Sequence, residues 1–217
     1  ENFGAPLHRV AIHAGAPCSV ELKREMISWW GPILHEYYSG TESIGFTHIT
    51  SEEWLKKVGS VGRPSGCDIH ILNDEAEPLP AGQRGKVFFS GREAVSYHND
   101  PKKTAAARSP QGYSTMGDLG YLDADGYLFL TDREAFTIIS GGVNVYPREV
   151  EEAISTDSRV AEAAVFGSPD NDLGEVVTAV VELQRDWEPT LETAKMIRER
   201  LRARLSPHKL PHKLAFV

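Results

Sequence analysis

Between Arg9 and Glu42 the chain reads strand, helix, strand, loop, and that succession limits the fold more than any other feature. Arg9 to His13 has the pattern of a short strand. Ala14-Gly15-Ala16-Pro17 is a turn, because Gly and Pro punctuate it. Ser19 is placed to cap a helix from Val20 to Trp30, in which Val20, Met26, Ile27 and Trp30 fall near one face. Gly31-Pro32 stops that helix. Ile33 to Tyr38 reads as a buried strand, followed by the tight loop Ser39-Gly40-Thr41-Glu42. This is the rhythm of an α/β layer, and ligands of such sheets sit beyond the carboxyl ends of the strands.

From about Gly62 the rhythm changes. Cys67 to Asn73, Lys86 to Ser90, Gly120 to Asp123 and Tyr127 to Thr131 read as strands, with Asp123-Ala124-Asp125-Gly126 as a hairpin turn. After Asp132-Arg133 a third pattern begins. Thr137 to Ser140 and Val143 to Tyr146 flank Gly141-Gly142, and Pro147 opens a helix to about Ser155. Val160 to Phe166 and Val176 to Leu183 are strands, and Thr190 caps a helix to Leu205. The expected fold class is α/β joined to α+β. The end of a large α/β domain spans 1–61, and a small β-barrel-like subdomain spans 62–133. A small, mobile α+β domain, truncated, spans 134–217.

Composition narrows the function. A chain of 217 residues holds one large or two small domains with a buried core. Its net charge of −8 argues against nucleic acid, which needs clustered Lys and Arg. The run Arg198 to Arg204 is interrupted by Glu199 and reads as a solvated helix face. Cys18 and Cys67 form no CxxC pair and have no metal spacing, which points to a reducing cytoplasm. None of the eight histidines shows a paired helical spacing with an acidic third ligand. No stretch reaches the length of a membrane span, and no signal-peptide layout opens the chain. It begins without Met and in mid-pattern, so it is expected to be a trimmed piece of something longer. No oligomeric state is legible in it.

Three segments carry chemistry. Tyr37-Tyr38-Ser39-Gly40-Thr41-Glu42 places a ring, a hydroxyl and a carboxylate on a small-residue turn after a buried strand. Such a loop can stack an aromatic base on Tyr38, donate from Thr41 to a phosphate oxygen and offer Glu42 to Mg²⁺, which prefers oxygen ligands. Asp118, within Met116-Gly117-Asp118-Leu119-Gly120, sits between glycines that let a ligand approach the backbone, and its carboxylate can accept both ribose hydroxyls. Arg133 is a fixed donor fork suited to ribose or phosphate oxygens. Taken singly, each also reads as an ordinary polar turn or chain end. Glu149 and Glu151 read as favourable charge in the first turn of a helix.

Taken in order, these segments resemble the adenylate-forming superfamily of acyl-CoA synthetases, peptide-synthetase adenylation domains and beetle luciferases. Gly15-Ala16-Pro17 is similar to its adenine-side loop, and Tyr38-Ser39-Gly40-Thr41-Glu42 to its tyrosine–small–x–Thr–Glu motif. Gly117-Asp118 is similar to its ribose-binding pair, and Asp132-Arg133 through Glu151 to its hinge and Gly-Gly segment. The resemblance covers essentially the whole chain and is greatest to bacterial fatty- or aryl-acyl-CoA ligases. It implies an enzyme that joins a carboxylic acid to ATP, giving acyl-AMP, and then transfers the acyl group to coenzyme A. By residue it implies Tyr38 against adenine, with Gly15, Ala16 and Pro17 on the other side. Thr41 and Glu42 would be the catalytic pair, at the α-phosphate and the Mg²⁺, and Asp118 and Arg133 would hold the ribose. Ala135 would be the hinge, Gly141 and Gly142 would line the pantetheine tunnel, and Ser39, Gly40, Ile44 and Gly45 would border the acyl pocket.

The chain departs from the family at Ala135, where Asp or Lys is usual, at Phe136, where Asp is common, and at Met116, where Thr is usual. The family's phosphate loop and its catalytic lysine stretch do not occur in it. Lys209 and Lys213 read as surface residues, with Lys209 also a candidate for a coenzyme A phosphate. The isolated chain is therefore expected not to form adenylates. The alternatives are a fatty-acyl-AMP ligase, a peptide-synthetase adenylation domain, or a non-catalytic nucleotide- or partner-binding module.

Overall fold

The computed structural model describes residues 7–217; residues 1–6, which open the first expected domain, lie outside the described residues. The chain divides into two compact units, the first ending at Leu130 and the second running Thr131–Val217.

In the first unit β1 (Ala11–His13), α1 (Val20–Trp30) and β2 (Leu34–Ser39) form a strand–helix–strand unit whose strands are parallel. The bounds of α1 follow from local chemistry. The Ser19 hydroxyl accepts from Leu22 N–H at 3.2 Å, and Gly31, at φ 82°, closes the last turn with its N–H on Ile27 C=O. β3 (Phe46–Ile49) returns antiparallel beside β2. α2 (Ser51–Lys56) follows under a capping box, in which Thr50 and Glu53 satisfy each other's backbone donors. β4 (Arg63–Pro64) completes a sheet of order β1-β2-β3-β4.

The next sheet contains β5 (Asp68–Leu72), β6 (Gly85–Ser90), β7 (Asp118–Leu122) and β8 (Leu128–Arg133), in that order, with α3 (Pro101–Ala106) between β6 and β7. The expected barrel-like subdomain is this open four-stranded sheet, whose strands do not close into a barrel. Apolar residues of the strands, of α1 and α2 and of the connecting loops form two clusters. Ile27, Leu34, Ile49, Trp54 and Tyr127 form one, and Ile44, Ile71, Val87, Phe89 and Leu128 form the other.

The second unit contains β9 (Ile138–Ser140), β10 (Val143–Val145), α4 (Pro147–Ser155), β11 (Val160–Asp170), β12 (Gly174–Leu183), α5 (Leu191–Arg202) and β13 (Lys213–Phe216). The sheet runs β10-β9-β12-β11, with β13 parallel to β12. Ile138, Val150, Ile154, Val177, Ala179, Val181, Ile197 and Leu201 fill its core. Among the described residues no helix is long and apolar enough to cross a membrane.

Asp157 joins the end of α4 to β11. It is 2% exposed, and its carboxylate takes the Arg159 guanidinium through two bonds of 2.6 and 2.8 Å. The Arg159 side chain, aided by its backbone N–H, holds this carboxyl below the usual carboxylate value. A folded pKa below the unfolded one contributes stability that is present above the unfolded value and lost as pH falls through the folded one. Asp157→Asn is therefore expected to cost about 1–3 kcal/mol near neutral pH. In urea unfolding, the gap to wild type should close once the medium is acid enough to protonate Asp157 in both states.

Candidate functional site

Because β1 and β2 are parallel, the loops after them leave the sheet at one edge. Those loops hold Gly15, Ala16 and Pro17 on one side and Gly40 to Gly45 on the other. Gly15, at φ 85°, turns the first loop, and all three of its residues are exposed. The second loop is tightened from within. Ser43 N–H donates to Gly40 C=O at 3.0 Å, and the Ser39 hydroxyl donates to Gly45 C=O at 2.7 Å. Ile44 is buried in the core, and Gly45 lies where a Cβ would enter the Phe89 ring. Thr41 is exposed at the tip and Glu42 is half-buried.

Tyr38, at the end of β2, donates its phenol hydroxyl to the Asp118 carboxylate, and its ring centroid lies 6.2 Å from that of Phe89. Asp118 opens β7 and is 6% exposed. Its place is set one step earlier, where the Thr115 hydroxyl bonds Val87 C=O at 2.7 Å and accepts Gly117 N–H at 2.9 Å. Two of the candidate residues, 80 positions apart, thus meet in one hydrogen bond.

Glu42 has a partner that sequence reasoning missed. The Tyr97 phenol donates to Glu42 Oε1 at 3.0 Å. Burial pushes the Tyr97 phenol up, and its bond to Glu42 and the charge there push the same way, so it remains a donor at neutral pH. Glu42 Oε2 and the Met116 sulfur flank Gly40, so a side chain at Gly40 would displace one of them. A single carboxylate so placed suits Mg²⁺, which takes one or two carboxylates and fills its octahedron with phosphate oxygens and water. Among the described residues no group of three or more His, Cys, Asp or Glu forms a metal site.

In the second unit Arg133 is exposed, and its N–H donates to the Asp132 carboxylate at 2.7 Å. The other Asp132 oxygen accepts Arg148 N–H at 3.1 Å, so this residue satisfies a free donor in the first turn of α4. Ala135 lies in a 3₁₀ turn, Glu134–Phe136. Ala135 and Phe136 line one side of a groove of about 250 Å³, facing Val165, Phe166 and Glu175. Gly141 and Gly142, at φ 57° and 80°, make the turn between β9 and β10, and Gly141 N–H bonds Leu173 C=O at 2.9 Å. Lys209 is bound to the Glu149 carboxylate at 2.6 and 2.7 Å. Burial pushes the Glu151 carboxyl up, although it accepts Val165 N–H at 2.9 Å.

Two family models match the chain. Residues 2–96 match the AMP-binding enzyme model, and residues 149–217 match that of the AMP-binding enzyme C-terminal domain. Sulfoacetate–CoA ligase of Cupriavidus necator is 31% identical, over 94% of this chain and 42% of its own length. Long-chain-fatty-acid–CoA ligase of Bacillus subtilis is 34% identical, over 94% and 36%. Among solved structures, o-succinylbenzoate CoA synthetase from Bacillus subtilis, in complex with its acyl-adenylate intermediate, superposes with a TM-score of 0.85 at 30% identity. That match covers 100% of this chain and 44% of the other. ATP-bound MatB from Rhodopseudomonas palustris gives 0.84 at 30%, over 96% and 41%. The chain spans about four-tenths of the length of the curated relatives it matches.

Proposed function

The chain belongs to the AMP-binding, adenylate-forming enzyme family, and from that premise we propose that it serves an acyl-CoA synthetase, contributing the adenylate site and the small C-terminal domain. In the first half-reaction a carboxylate oxygen bonds to the α-phosphorus of ATP and pyrophosphate leaves. In the second the sulfur of coenzyme A bonds to the acyl carbon and AMP leaves. The protein's part is to hold reactants in line and to stabilise phosphate charge.

The observation that carries this reading is the Tyr38–Asp118 hydrogen bond beside Glu42, at the carboxyl edge of a parallel strand pair. It joins a ring able to cover adenine to a carboxylate able to take ribose hydroxyls, one turn from a carboxylate suited to a cation. In this proposal Tyr38 and the Gly15-Ala16-Pro17 loop hold the base, and Asp118 and Arg133 hold the ribose. Thr41 donates to the α-phosphate and Glu42 binds Mg²⁺, which neutralises phosphate charge when bound. Ser39, Gly40, Ile44 and Gly45 border the acyl group. Ala135 is the hinge about which the small domain turns between half-reactions, and Gly141-Gly142 leaves room for the thin pantetheine arm. A cytoplasmic setting is part of the reading.

The test is to incubate the enzyme carrying this chain with ATP, Mg²⁺, coenzyme A and a panel of fatty and aromatic acids, following AMP and thioesters by mass spectrometry. Acyl-CoA is the expected product. Adenylate without thioester would move the acceptor to a carrier protein, and no product from any acid would overturn the ligase reading. The 217-residue chain alone is expected to bind AMP without forming adenylate.

A further inference from the structure

We propose that Tyr97 is a positioning residue for Glu42, holding one carboxylate oxygen so that the other is presented to the metal of a metal–nucleotide complex. The inference rests on the reading of Glu42 as the Mg²⁺ carboxylate and goes beyond it, because Tyr97 belongs to none of the motifs that carry the resemblance.

The argument starts from how Tyr97 is held. It is half-buried, and it appears in none of the hydrophobic clusters among the described residues, so packing in a core does not fix its ring. Polar contacts fix it instead. Its N–H donates to the Thr104 hydroxyl at 2.9 Å, and that hydroxyl donates to Asp100 C=O at 2.8 Å. Asp100 in turn caps α3 by accepting Lys103 N–H at 2.9 Å. Asn99, at φ 53°, makes the reversal that folds α3 back onto Tyr97. The Lys103 ammonium then lies 4.1 Å from the centre of the Tyr97 ring. Tyr97 is thus tied to α3 through its backbone and its ring, and its hydroxyl is directed to Glu42 Oε1.

The other side of Glu42 is equally defined. Oε2 lies against Gly40, in the room that the absence of a side chain leaves to it and to the Met116 sulfur. One oxygen is therefore occupied by a neutral donor, and the second faces the glycine of the phosphate-side loop. A carboxylate on a loop pays an ordering cost each time it binds a cation, and a donor that fixes its rotamer beforehand removes part of that cost. The same segment forms one wall of an open groove of about 560 Å³ lined by Tyr97, Asn99, Asp100, Thr104 and Arg108.

The test measures ATP affinity of the chain calorimetrically, with Mn²⁺ and with a chelator. Mn²⁺–ATP binding is read independently from the enhancement of water proton relaxation. Wild type is expected to gain affinity from the metal, and Glu42→Gln to lose that gain. Tyr97→Phe, which removes only the hydroxyl, should cut the gain roughly tenfold, as expected for one hydrogen bond to a charged group. It should leave metal-free ATP affinity and the melting temperature unchanged. Thr104→Val, which frees the backbone anchor, should cut the gain in the same direction by a smaller factor. A full metal gain in Tyr97→Phe, with Glu42→Gln deficient, would overturn the role of Tyr97 and leave that of Glu42 standing. No gain in wild type, or an undiminished gain in Glu42→Gln, would overturn the metal reading and this inference with it. An equal loss with and without metal in Tyr97→Phe would make Tyr97 a structural residue only.

Discussion

Asp118→Ala is expected to weaken AMP binding by roughly a hundredfold, the largest effect on nucleotide affinity of any single change at the site. Two contributions add. A carboxylate that accepts two ribose hydroxyls makes charge-assisted bonds of about 1.5–3 kcal/mol each, and alanine makes neither. The Tyr38 phenol also loses the acceptor at Asp118, in a position that is 6% exposed. The ring proposed to cover adenine then loses one of its restraints. Asp118→Asn separates the two contributions. It keeps the shape and one acceptor oxygen for Tyr38 but gives up the charge, and about a tenfold loss is expected. Calorimetric titration of AMP into each variant reads the result directly. Wild-type affinity in Asp118→Ala would remove ribose binding from this residue and leave the Tyr38–Asp118 bond as a packing device.

What could be read from sequence was local. α1 has the predicted bounds because Ser19, Gly31 and Pro32 act within one turn of the residues they control. The strands on either side of Gly141-Gly142, and the helix that Pro147 opens, were legible for the same reason. β11 was expected to end at Phe166 but continues through Pro169 to Asp170. It tolerates that proline because it is the edge strand, paired only with β12. α2 and α3 were not expected, although signals for both were present. Thr50 and Glu53 have capping-box spacing, and Asp100-Pro101 is a cap followed by a first-turn proline. They are six-residue helices, too short to show a periodic face. The motif residues were visible one loop at a time, whereas the bonds between loops were not. Tyr38 meets Asp118 across 80 positions and Glu42 meets Tyr97 across 55, and no spacing rule spans such distances.

The same limit hid a buried ion pair, and its disruption should be the costliest change to stability. Lys23 falls on the same face of α1 as Val20 and Ile27, where its charge, not its spacing, argues for solvent, and it is 1% exposed. Its ammonium is bound to the Glu36 carboxylate on β2 and sits 4.6 Å from the centre of the Trp54 ring. His13 Nδ1 lies 3.6 Å from the other carboxylate oxygen. Taking both charges out of water is expensive, and their attraction in a dry interior returns much of that. Removing one partner strands the other. Lys23→Met is therefore expected to lower unfolding free energy by about 3–5 kcal/mol, and Glu36→Leu by a similar amount. The double variant should recover most of the loss, because neither desolvated charge remains. Urea unfolding of the four proteins closes a double-mutant cycle and isolates the pair term. Single losses below about 1 kcal/mol would mean that the pair behaves as a solvated one. Glu36 and Tyr38 are two residues apart on β2 and so point to the same face of the sheet. If the double variant regains stability and still binds AMP as wild type does, the ion pair is a device of the fold. If it regains stability and binds AMP less well, the charged pair also sets the pose of the Tyr38 ring.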